Sequence, residues 1–98
     1  MSTENIAKKA VEDKIEAQVK TVQAKLDVLK LKAEAAKAIA EVAAIAELVT
    51  RKRAVDQKLS ELKKSGETKY QQAKADVESR VAELEQSVQA IEAKIKAA

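Results

Sequence analysis

The chain has 98 residues, with 19 basic and 16 acidic side chains, one Gly, one Tyr, and no Pro, Cys, His, Trp or Phe. That composition excludes disulfides, thiolate chemistry and a β fold built on turn signals and aromatic strands. The net charge of +3 is too even to imply nucleic acid or an anionic membrane by itself. Ala, Lys, Glu, Val, Leu and Gln dominate, mostly good helix formers, and heavy use of them with a 3.5-type period marks long helices and coiled coils. Disorder is the competing reading of a charged, aromatic-poor chain. The mixed charge signs and the regular apolar seams below argue against it.

In chain order, Ser2 and Thr3 suit the N-cap of a first helix, with Glu4 placed to complement the helix dipole. Nothing then stops that helix before Ser65-Gly66, so the expectation is one long helix over about 3–64. Glu4 with Lys8, Glu16 with Lys20 and Glu47 with Arg51 are i,i+4 pairs that share its faces. An N-terminal seam runs through Ile15, Val19, Val22, Leu26 and Leu29. Over 33–49 the helix is apolar on two sides. One stripe holds Ala38, Ile45 and Leu48; a second holds Ala35, Ile39, Val42, Ala46 and Val49. A helix apolar on two sides is usually buried between neighbours, which points to a dimer of hairpins around this segment. Further on, Val55, Leu59 and Leu62 continue the first stripe, with Lys52 as its one polar member.

Gly66 is the expected turn. Lys63 and Lys64 precede it as cations favoured at a helix C-terminus, and Gly suits a left-handed residue just past the end. Thr68 through Gln71 reads as a capping box opening a second helix over about 68–97. That helix carries a heptad seam: Tyr70, Val77, Leu84 and Ile91 interleave with Lys74, Val81, Val88 and Ile95. Reversal at Gly66 sets positions summing to about 132 face to face. Leu62 then meets Tyr70, Val55 meets Val77, Leu48 meets Leu84, and Ile45 meets Val88. Glu78, Glu85 and Glu92 fall at e positions, and Arg80 and Lys94 at g, the usual places for charge pairs between helices.

A helix of about 60 residues spans roughly 90 Å, against about 45 Å for the second. The N-terminal seam is therefore left without an intrachain partner. The expected fold is all-α: a long antiparallel coiled-coil hairpin, one unit over 1–98, associating into a multi-helix bundle as a homodimer or higher oligomer. The alternative is a three-helix bundle made by a bend near residues 30–34. It ranks second because that stretch holds no Gly, Pro or cap residue.

Chemistry-bearing patterns are sparse. With no His or Cys, acid–base work would fall to Asp, Glu, Lys or Tyr70, and the carboxylate pairs Glu12/Glu16 and Glu78/Glu85 read as solvated flanks of helices. No metal, calcium-loop or phosphate-loop pattern occurs, so no cofactor is expected. Arg51-Lys52-Arg53 with Lys58, Lys63 and Lys64 is the sharpest basic cluster. These residues scatter around the helix among Glu47, Asp56 and Glu61, with no aromatics for base stacking, so nucleic acid is not favoured. No apolar h-region or 18-residue apolar span is present, which gives a cytoplasmic expectation. The function expected is a non-enzymatic scaffold or adaptor, acting through helix–helix association with itself or another helical protein. The alternative is an amphipathic-helix stress or particle-coating protein that binds lipid or polymer surfaces.

Overall fold

The computed structural model describes residues 3–97. Three helices follow in order: α1 (Thr3–Ala35), α2 (Ile39–Lys64) and α3 (Glu67–Ala97). Each packs on both others, in a rod of 52 × 17 × 15 Å. Its long axis matches one helix, since the 33 residues of α1 rise about 50 Å at 1.5 Å each.

The expected coiled-coil hairpin, associating into a multi-helix bundle, is overturned as the fold: the chain forms a three-helix bundle by itself, and the unpartnered seam that argued for association has partners within the chain. The chain reverses not only near Gly66 but also at residues 36–38, just past the 30–34 stretch where the bend of the alternative three-helix bundle was expected. The expected helix over 3–64 is therefore two helices. Its first part folds back so that the N-terminal seam finds its partners within the same chain. Ile15, Val19, Val22, Leu26 and Leu29 are all buried, together with Ala33, which is fully enclosed.

The break at 36–38 uses neither Gly nor Pro. The Ala38 N–H donates to the Ala33 carbonyl at 2.9 Å and the Lys37 N–H to the Glu34 carbonyl at 3.1 Å. This is the double closure of a Schellman motif, with Lys37 in its left-handed position at φ 56°. A non-glycine residue there costs roughly 1–2 kcal/mol. Burying five large aliphatic side chains of the α1 seam contributes about 1.5–3 kcal/mol each, so the tertiary gain far outweighs the local strain. Ala38 then opens α2 with no side-chain cap, its carbonyl accepting from the Val42 N–H at 3.0 Å.

The second connection is shorter. Ser65 ends α2 in extended conformation, with its hydroxyl donating to the Glu61 carbonyl at 2.9 Å. Gly66 is not left-handed. It caps α3 through its carbonyl, which accepts from the Tyr70 N–H at 3.0 Å. α3 begins at Glu67, so Thr68 stands inside the first turn and not at the cap expected of it. At the chain start, Thr3 is already helical and Ser2 lies outside the described residues.

Two contacts fix register. The Tyr70 hydroxyl donates to the Lys8 carbonyl at 3.3 Å, a separation of 62 residues, and the Lys8 ammonium lies 4.9 Å from the Tyr70 ring centre. These contacts hold the N-terminal part of α3 alongside that of α1, the two helices running parallel. Glu16 and Lys63 form an ion pair between the antiparallel helices α1 and α2. The core is aliphatic apart from Tyr70, and no polar or charged side chain is buried in it among the described residues.

Candidate functional site

The residues expected to meet a partner helix, within the hairpin or in another chain, mostly form this chain's own core. Ile15, Val19, Val22, Leu26, Leu29, Ile45, Leu48, Val55, Leu59, Leu62, Val77, Val81, Leu84, Val88 and Ile91 are buried in one cluster. Val42, Val49 and Ile95 pack partly buried against it. The second stripe of residues 35–49 is thus absorbed only through Val42 and Val49. Ala35 and Ala46 stay exposed, and Ile39, the first residue of α2, is 83% exposed. The turn residue Gly66 sits in open space, with nothing within 4 Å of where a Cβ would stand.

The charges expected between helices mostly stay on their own helix. Lys74 pairs with Glu78 at 3.8 Å, Arg80 with Asp76 at 3.2 Å and Lys96 with Glu92 at 3.3 Å. Arg51 pairs with Glu47 at 2.8 Å, as the i,i+4 spacing expects. Glu16 turns away from Lys20 to Lys63. The hydrogen bond and charge of Lys63 hold the Glu16 carboxyl below the usual range, and the bond to Glu16 raises Lys63 in return. Burial, then the charges of Glu12 and Glu78, raises the Tyr70 hydroxyl above the ordinary tyrosine value. The basic run is dispersed as well: Arg51 is tied to Glu47, and Lys52 turns into the α1–α2 groove, 2.7 Å from Asp56.

That groove is open, about 630 Å³, and lined by alternating signs: Glu16, Lys20, Asp27, Lys52, Asp56 and Lys63. A second groove of about 260 Å³ lies between α1 and α3, beside Lys14, Lys25 and Glu85. Neither offers one consistent charge to a small ligand. Among the described residues no group of three or more His, Cys, Asp or Glu is placed to hold a metal. No helix among them is long and apolar enough to cross a membrane.

The surface feature the seams did not reveal is the outer face of α1. Ile6, Ala10, Ala17, Ala24, Val28, Leu31 and Ala35 are spaced 4, 7, 7, 4, 3 and 4 apart and all are exposed. They share the side opposite the core stripe. Thr21 lies in the same row, its hydroxyl donating back to the Ala17 carbonyl at 3.0 Å, which reduces its demand for water. Val28 is 50% and Leu31 68% exposed. The 3–4 spacing was legible in the sequence, but Ala fills most of the row and reads as helix filler. Only the direction of the core shows that this face points outward. The chain is a small all-helical unit without recognisable catalytic features among its described residues. Comparison with known protein families, with curated proteins and with solved structures finds no match to this chain.

Proposed function

We propose that this chain is a non-enzymatic surface-coating protein, whose amphipathic helices close on one another when free and turn their apolar stripes onto a lipid or polymer surface. One observation carries the reading: apart from Tyr70 the three stripes meet in an aliphatic core, and no polar or charged side chain is buried in it among the described residues. Away from the Tyr70 end, exclusion of water is what holds the stripes together. The hydrophobic effect is non-directional, so another apolar surface can take the same place. The connections at 36–38 and 65–66 lie at the ends of the rod and can act as hinges. The helices also keep charged outer faces, as a surface-lying helix does. An oligomeric scaffold drew its support from a seam with no intrachain partner, and that seam has one.

Opening changes what the chain lays on a surface. Closed, the rod presents only its outer faces; open, its three helices lay down the stripes that form the core. The test is the surface pressure reached at an oil–water interface by the intact chain and by a Glu16→Cys/Lys63→Cys variant bridged by a short bismaleimide. The chain has no native Cys, so the bridge is unambiguous. The intact chain is expected to raise the pressure further than the bridged one. Equal pressures would refute opening, and no adsorption would refute coating.

A further inference from the structure

Resting on the coating reading, we propose that the outer face of α1 near its C-terminal end, with Ile39, is where the still-closed bundle first docks, and that it docks on an anionic lipid surface. Four large apolar side chains are exposed among the described residues: Ile6, Val28, Leu31 and Ile39. Three of them fall within residues 28–39, at one end of the rod. Val28 and Leu31 stand on the outward row with Ala24 and Ala35. Ile39 follows directly after the 36–38 connection, at 83% exposure. Apolar side chains that the fold leaves uncovered at one end mark a contact site more than singly scattered ones do.

Charge complementarity names the occupant. On the helical wheel of α1, Lys14, Lys25 and Lys32 repeat at intervals of 11 and 7 residues along one border of the outward row. No acidic residue of α1 stands on that border between positions 7 and 35. The acids Glu12, Glu16, Asp27 and Glu34 lie on the opposite border with Lys9, Lys20 and Lys30, and Asp13 stands in the outward row, N-terminal to the docking end. Residues 24–39 hold four lysines against two acids, which is +2 of the chain's +3. None of Lys25, Lys30, Lys32 and Lys37 is within ion-pair distance of an acid among the described residues. An apolar row with a basic border suits a helix lying at an anionic headgroup layer, where lysine stems pack along the acyl boundary and the ammonium groups meet phosphates. A neutral polymer would gain nothing from the basic border, and a second copy of this face would bring like charges together.

The experiment is flotation of the full chain with vesicles of phosphatidylcholine alone, or with about a third phosphatidylglycerol, in low and physiological salt. The intact chain is expected to bind the anionic vesicles at least tenfold more tightly, and less tightly in higher salt. Leu31→Ser/Ile39→Ser is expected to lose roughly tenfold or more, and each of Lys25→Gln and Lys32→Gln about fivefold. The bismaleimide-bridged protein, in which α1 and α2 cannot part, is expected to float as the intact chain does. Binding that ignores Leu31 and Ile39, or is equal on both vesicles, overturns the docking face while leaving the coating reading intact. So does binding that the bridge abolishes. If Leu31→Ser/Ile39→Ser alters sedimentation of the free protein and not flotation, the face is a contact between copies and the proposal falls. An intact chain that neither floats nor adsorbs at oil removes both readings together.

Discussion

Leu26 and Leu31 are five residues apart on one helix, and the same substitution at each should give opposite results. Leu26 is 1% exposed and Leu31 is 68% exposed. Leu26→Ala removes buried methyl and methylene groups from the core cluster, and a tightly packed aliphatic site of this kind costs about 3–5 kcal/mol on truncation, including the cavity left behind. A chain of this length has a total stability of about 5–15 kcal/mol. With an unfolding entropy of about 2 cal/mol/K per residue, a loss of 3 kcal/mol lowers Tm by about 15 °C. Leu31→Ala leaves no cavity, and Ala is the better helix former by about 0.2 kcal/mol, so Tm should move by less than about 3 °C. Thermal unfolding followed by far-ultraviolet circular dichroism, at two protein concentrations tenfold apart, checks both. A cost below about 1 kcal/mol for Leu26→Ala would refute the intrachain use of the N-terminal seam. A cost for Leu31→Ala that grows with protein concentration would show the outward row buried between chains.

Three further outcomes are expected. Lys37→Gly should raise stability by about 1 kcal/mol in urea unfolding, because Gly takes the φ of 56° without the penalty an L side chain meets there; a loss of stability would mean the connection does not hold that conformation. The Glu16–Lys63 pair should show in the pH dependence of Tm. Glu16 is held low, so its contribution is present above the ordinary glutamate range and is lost as pH falls through its lowered value. Lys63 is held high, so its contribution is present below the ordinary lysine value and is lost as pH rises through its raised value. Glu16→Gln should flatten the acid limb relative to the intact chain, and an unchanged limb would assign it to other carboxylates. Finally, ultraviolet titration should find the Tyr70 hydroxyl ionising above the usual tyrosine range, because burial disfavours the phenolate. Its contribution to stability is present below the ordinary value and declines as pH rises through the raised one; ionisation at the ordinary value would place the ring in water.

The sequence by itself determined that this protein is helical, which residues face a core, and where the second reversal lies. Each follows from local chemistry: composition without helix breakers, aliphatic side chains at 3–4 spacing, and a Ser65-Gly66 interruption after two lysines. Ile15, Val19, Val22, Leu26, Leu29 and Ala33 also repeat the spacing of Val77, Val81, Leu84, Val88, Ile91 and Ile95. Only the tertiary structure decided how those seams pair. The break at 36–38 passes through Ala-Lys-Ala, whose local preference is to remain helical, and Lys37 adopts its left-handed conformation at a local cost. The stripe opposite the core is likewise defined by where the other two helices sit, because an apolar row is a surface feature only once the fold has left it uncovered. A local penalty of one or two kcal/mol is set by three residues. The burial that outweighs it is shared among side chains more than sixty positions apart, and no window of the sequence contains both.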